Sequence, residues 1–266
     1  TGPAMAEVLA GALNEGDRFF GLSVTTGSAG TIAAGDYLKS LFPGSKIAAG
    51  EAVQCPTMLY NGFGEHRIEG IGDKHIPWVH NVRNTDFVVG LDDEASVDLL
   101  RLFNEPAGID FLIDQGVKAA IVEQFPLLGI SGIANLLSAI KLAKHQELDG
   151  HDVVLTVATD SLEMYQSRLT EMTLDRGELT KLDAAGSFHR YLMGAGTDHV
   201  HELGYWDRKR IHNLKYYTWV EQQGKTAEAL DAQWYDRDHW TLVQELADPI
   251  DELIDVFNTE VAALQT

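Results

Sequence analysis

Residues 19–51 read FFGLSVTTGSAGTIAAGDYLKSLFPGSKIAAGE. Phe19 to Thr25 is a short apolar run of strand type, and the small-residue turn Gly27-Ser28-Ala29-Gly30 follows it at once. A helix is expected from near Thr31 to Leu41, where Pro43-Gly44 stops it. Lys46 to Glu51 is a second strand. Strand, turn, helix and strand in that order make a βαβ unit, whose two strands run parallel because the helix carries the chain back. The fold class that follows is α/β: an open, mostly parallel twisted sheet with helices on both faces.

The chain on either side agrees with this. Residues 4–14 carry Met5, Val8, Leu9 and Leu13 at helical spacing, and Gly16 can end that helix. Residues 52–85 are rich in Gly, Asn and His without periodicity; an irregular stretch of that length usually carries function. Asp86 to Leu91 is a third strand, and Asp92-Asp93-Glu94 places negative charge at the start of a helix running to Asn104. A short helix at 109–116, a short strand at 119–122, a long helix at 132–145, and a strand at 152–158 are expected next. That last strand runs into Asp160-Ser161 and a helix to about Met172. From residue 175 the sequence turns polar and aromatic, with Trp206, Tyr216, Tyr217, Trp219, Trp234, Tyr235 and Trp240. Ile250, Leu253, Ile254, Phe257 and Val261 recur at helical spacing. Two domains are therefore expected, an α/β body over 1–174 and a mostly helical C-terminal extension over 175–266.

Composition limits the partners. With 20 Lys+Arg against 40 Asp+Glu, the formal net charge is -20. Nucleic acid and anionic membrane surfaces both need clustered cations, so neither is expected. No run of eighteen apolar residues spans a membrane. Cys55 is the only cysteine, so no internal disulfide forms; a reducing cytoplasm and a buried structural role are the expectation. The first residue is Thr1 rather than Met, so the chain is expected to follow a processing site, a cut or an upstream segment.

Four short constellations carry chemistry. In Thr25 to Thr31, small residues let the backbone approach an anion while successive N–H groups and a helix dipole face it. No Gly-Lys-Ser/Thr follows, so this is not a P-loop, and the glycine spacing is wrong for a dinucleotide fingerprint. Gly70-Ile71-Gly72-Asp73-Lys74-His75-Ile76-Pro77 is a glycine-bearing loop stiffened at its exit. Gly129-Ile130-Ser131-Gly132 opens the long helix, where Ser131 could serve simply as its cap. Thr159-Asp160-Ser161 lies just past a strand, where open α/β sheets hold ligands; Asp160 or Ser161 could equally be a helix cap.

In order and spacing, Gly27–Thr31, Lys46–Glu51, Gly70–Pro77, Asp86–Glu94, Gly129–Ala134 and Val153–Tyr165 resemble the cysteine synthase and cystathionine β-synthase family, the fold-type-II group of pyridoxal-phosphate (PLP) enzymes, over about residues 1 to 170. Even Thr1-Gly2-Pro3 resembles the family's TGP turn. The resemblance implies PLP as cofactor, with its phosphate held by Gly27, Ser28, Ala29, Gly30 and Thr31. It places Gly70 and Gly72 beside the cofactor and the substrate entrance. It sets Ser161, or else Asp160, against the pyridine nitrogen. A neutral hydroxyl there leaves that nitrogen unprotonated, which favours β-elimination and β-replacement on a small amino-acid substrate.

Two departures bear on substrate choice: extra structure over residues 105–127, and the extension 175–266. The family's Schiff-base lysine and substrate-carboxylate loop precede the TGP turn, so the catalytic lysine is expected upstream of Thr1. Neither Lys46 nor Lys74 stands in the matching place, and Asp73 beside Lys74 is expected to hold it charged. The parent protein is thus expected to be a PLP-dependent lyase or transferase, completed by an N-terminal segment or partner fragment and assembling as a homodimer. A non-catalytic PLP- or anion-binding subunit, acting through oligomerisation, is the alternative. Asp198-His199-Val200-His201 would set two imidazoles on one face of a strand, but four metal ligands cannot be named and no metal is expected. His66, His75 and His80 lie near the expected cofactor site without an assigned role.

Overall fold

The computed structural model describes residues 1–72 and 74–264. Asp73 lies outside them, and so does its expected pairing with Lys74. The chain divides into two compact units, Thr1–Leu214 and Lys215–Thr266.

The first unit is built on a five-stranded sheet: β1 (Arg18–Thr25), β2 (Lys46–Ala52), β3 (Phe87–Leu91), β4 (Asp152–Leu155) and β5 (Val200–Glu202), in the order β4-β1-β2-β3-β5. β1 pairs in parallel with β2 and β4, β2 pairs in parallel with β3, and β5 joins β3 antiparallel. Its helices are α1 (Gly2–Ala12), α2 (Gly30–Leu41), α3 (Thr57–Tyr60), α4 (Asp93–Asn104), α5 (Pro106–Asp114), α6 (Ala119–Val122), α7 (Ile130–His145), α8 (Gln166–Arg176), α9 (Lys181–Ser187) and α10 (Tyr205–Asn213). Residues 188–193 form a π-helical turn.

Strand alternation sends successive residues to opposite faces. Ala48, Phe87, Val89 and Leu91 pack with Leu99, Ile133 and Leu137 on the α4/α7 face. Leu22, Val24, Ala49 and Val88 pack with Ile32 and Leu38 on the α2 face. Both faces are buried, as a largely parallel sheet requires.

The structure corrects several expectations. Residues 119–122 form a helical turn rather than a strand; a four-residue apolar run carries no period that separates the two. The helix expected at 109–116 starts at Pro106, a residue suited to a first helical turn. β4 stops at Leu155, short of Ala158. Composition changes near residue 175, yet the first unit continues to Leu214, because α9 packs on α4 and α5 and β5 extends the sheet.

The second unit holds a π-helical turn at 216–222, then α11 (Ala227–Tyr235), α12 (His239–Glu245) and α13 (Ala247–Leu264). Within it, Lys215 Nζ donates to Gln233 Oε1 at 2.7 Å and lies 5.5 Å from the centre of the Trp240 ring. No single helix among the described residues is long and apolar enough to cross a membrane.

Candidate cofactor site

β2 and β3 are laid down on one side of β1, and the chain then returns to set β4 on the other. The strand order therefore reverses between β1 and β4, and a crevice opens beyond the carboxyl ends of such a pair. α7 holds it open. Ser131, Asn135 and Ser138, spaced four and three residues apart, form a buried polar stripe on that helix. Asn135 takes the Thr25 N–H on Oδ1 at 2.6 Å and donates from Nδ2 to the Val157 carbonyl at 2.8 Å. The amide stands in for ladder bonds, which is why β4 ends early. Ser138 Oγ lies 2.8 Å from Ser23 Oγ further along.

The turn leaving β1 has the geometry of an anion cradle. Ala29 is left-handed, with φ of 70°, and caps α2. Among the described residues no acceptor takes the N–H groups of Gly27, Ser28 or Ala29. Thr26 Oγ1 is buried there without a hydrogen-bond partner. Thr31 Oγ1 turns back to the Thr25 carbonyl at 3.4 Å, leaving its N–H in the first turn of α2.

The 70–72 segment packs directly on this turn. Gly72 N–H donates to the Thr26 carbonyl at 2.7 Å. A Cβ on Gly72 would come within 2.6 Å of that oxygen, so a side chain is excluded. Gly70 is left-handed, with φ of 86°. His66 Nε2 lies 3.2 Å from the Gly72 carbonyl and fixes the segment from behind.

On the far wall, Asp160 is held in a hydrogen-bond network. It accepts from the Tyr165 hydroxyl and, at 3.1 Å, from Ser131 Oγ. Burial, then Asp160 itself, raises the Tyr165 phenol above its ordinary range. Ser131 is thus more than a cap: Gly129 occupies the cap position, and its N–H donates to the Asp160 carbonyl at 2.9 Å. A Cβ on Gly129 would lie 2.3 Å from Asp160 Oδ1. With both Asp160 oxygens engaged, half-buried Ser161 is the neighbouring hydroxyl with no side-chain partner among the described residues.

Taken together, these groups fit PLP. The bare N–H groups and the orphaned Thr26 hydroxyl suit a phosphate, and Ser161 offers a neutral partner to a ring nitrogen. Lys46 opens β2 at its amino end, away from the crevice. Lys74 is exposed and, with Phe63, Gly70 and Ile71, lines an open cavity of about 450 Å³.

The histidine pair separates. His199 adopts φ of 56°, which breaks strand alternation, and its Nδ1 meets the Tyr60 hydroxyl at 3.0 Å. His201 faces Asp207 at 3.2 Å. Among the described residues no three His, Cys, Asp or Glu side chains gather as a metal set. His80 meets Thr85 Oγ1 at 2.9 Å, and Cys55 is buried with Sγ 3.8 Å from Thr57 Oγ1.

Asn135 and Tyr165 were not foreseen as site residues, and His66 was placed near the site without a role. The polar stripe on otherwise apolar α7 was the signal for Asn135; the other two depend on contacts that spacing does not encode.

No protein-family model matches the chain. Curated cysteine synthases of two Staphylococcus aureus strains are 26% identical over 168 residues, covering 63% of this chain and 46% of theirs. Over that stretch the chain is similar to the cysteine synthases, which are fold-type-II enzymes. A solved cysteine synthase from Entamoeba histolytica shares the fold, with a TM-score of 0.51 at 21% identity, over 71% of this chain and 49% of that one. The chain spans about half the length of the curated relatives it matches.

Glu51 borders the same region, in a small cavity with Thr26 and Gly27. It accepts the N–H groups of Met58 and Leu59 at 2.8 Å each, and burial pushes its pKa from 4.5 up to about 7. A raised carboxyl pKa stabilises the fold most below the unfolded value and loses that contribution as pH rises through the folded one. Wild type should therefore lose stability relative to Glu51→Gln between pH 4.5 and 8, by up to about 3 kcal/mol. Urea unfolding of both proteins across that window measures it; a difference that does not change with pH refutes the assignment.

Proposed function

We propose that the chain is the cofactor-holding part of a PLP-dependent enzyme that eliminates or replaces a group at Cβ of a small amino acid. The observation that carries this reading is the crevice between β1 and β4, with an N–H-lined turn on one wall and a free hydroxyl on the other. When bound, PLP supplies the electron withdrawal that lets a Cβ substituent leave. The chain's own residues do the holding. The N–H groups of Gly27 to Thr31 take the phosphate, aided by the positive end of α2. Ser161 meets the ring nitrogen without protonating it. The Asp160–Tyr165–Ser131 network fixes the turn that presents Ser161, and the 70–72 segment walls the substrate side. The partner this reading requires is a segment or fragment supplying the catalytic lysine.

PLP titration followed by visible absorbance tests the proposal. Saturable binding with a shifted cofactor band is expected. Ser161→Ala should move that band while far-UV circular dichroism stays unchanged, and should slow turnover once the chain is complemented. A variant with the same band places the ring elsewhere. A second reading, a non-catalytic anion-binding subunit, draws on the absence, among the described residues, of a buried lysine at the crevice. Inorganic phosphate binding as tightly as PLP would favour it.

A further inference from the structure

A second cavity, of about 360 Å³, opens beyond the carboxyl ends of β2 and β3. It shares none of the residues assigned to PLP. Its volume is within the range of small-ligand sites. Leu91, Ala95 and Leu137 make a buried apolar floor. One rim is the π-helical turn 188–193 and the segment after it; such turns recur at functional sites.

The charges around this cavity are unevenly matched. Lys141 is paired with Asp198 at 3.0 Å. His199 is held by Tyr60. Arg190 lies 5.1 Å from the centre of the Tyr191 ring, and among the described residues no carboxylate reaches its guanidinium. Arg190 is exposed at the rim, so solvent rather than a carboxylate meets its charge. Asp92 is its converse: it accepts from the neutral Gln54 amide at 2.9 Å and from the Glu94 N–H at 3.1 Å, with no cation beside it among the described residues. One cavity thus presents an unpaired cation and an unpaired anion above an apolar floor.

We infer that this cavity binds a free α-amino acid, its carboxylate on Arg190, its ammonium on Asp92 and its side chain on the floor. A zwitterion satisfies both charges at once. A simple carboxylate or a simple amine would neutralise one and leave the other.

Isothermal titration calorimetry on the full chain without PLP tests this, using L-valine, 3-methylbutanoate (no ammonium) and 2-methylpropylamine (no carboxylate). Saturable binding of L-valine is expected, with each half-molecule at least tenfold weaker. Arg190→Gln and Asp92→Asn should each weaken L-valine at least tenfold. Asparagine keeps an oxygen for the Glu94 N–H, so the start of α4 survives. No saturable heat with L-valine, 3-methylbutanoate binding as tightly as L-valine, or unchanged affinity in both variants would overturn the proposal. PLP binding should be the same in both variants, so failure here leaves the cofactor site standing, and failure of PLP to bind leaves this site standing.

Discussion

Gly30→Leu is expected to lower affinity for PLP at least tenfold, about 1.4 kcal/mol, with no loss of folding stability. Gly30 opens α2 at the turn whose N–H groups lack acceptors among the described residues. A phosphate must come within about 3 Å of those nitrogens, and only a bare backbone allows that. A Cβ at this position meets nothing in the protein closer than Ser28 Oγ at 3.8 Å, so the fold does not need glycine there. Leucine is also the better helix former, by up to about 1 kcal/mol. The added side chain therefore competes with a ligand rather than with the protein. Gly72 would be a poor choice for the same experiment, since its Cβ would strike the Thr26 carbonyl and the loss of binding could be a loss of structure. Fluorescence or absorbance titration with PLP, alongside urea unfolding, separates the two effects. Unchanged PLP affinity in a folded Gly30→Leu protein would remove the phosphate from this turn.

The same turn shows how far the sequence could be read. β1, the small-residue turn, α2 and β2 are legible in and around residues 19–51, because a short apolar run, a glycine-rich break, a helical stretch and a second apolar run follow one another without overlap. Both sheet faces are covered because the strands are apolar throughout rather than alternating. What escaped is what tertiary contact decides. β5 is three residues long and exists because β3 offers an open edge. Asp160 and Ser161 look equivalent as a dipeptide; Tyr165 and Ser131 arrive from elsewhere, engage the carboxylate and leave the hydroxyl. The change of composition near residue 175 marks a change in surface character, whereas the compact unit ends where packing on α4, α5 and β3 ends.

The 266-residue chain alone is expected to show no β-elimination or β-replacement turnover, and borohydride treatment in the presence of PLP is expected to leave Lys74 without a pyridoxyl group. Attack on an aldehyde needs an uncharged amine, which proteins obtain by burying a lysine against the ring within a rigid shell. Six of the eight lysines of the first unit are committed or misplaced. Lys39 pairs with Asp86 and Lys141 with Asp198, Lys144 donates to the Ala195 carbonyl, and Lys181 pairs with Asp114. Lys46 stands at the amino end of β2, the opposite end from the cradle. Lys74 shares a cavity with Gly70 but is exposed. The cradle and the Ser161 turn, by contrast, are fixed by buried and half-buried hydrogen bonds from α7. Holding and chemistry are thus separable here: PLP should bind reversibly while turnover waits for a lysine from another segment. Mass spectrometry of tryptic peptides after reduction reads the outcome, with the Gly30→Leu protein as the control for site-directed labelling. A stoichiometric pyridoxyl group on Lys74, or turnover without an added fragment, would show that this chain carries its own catalytic amine. Turnover that appears only when a lysine-bearing upstream segment is added would establish that the chain presents half of a divided site.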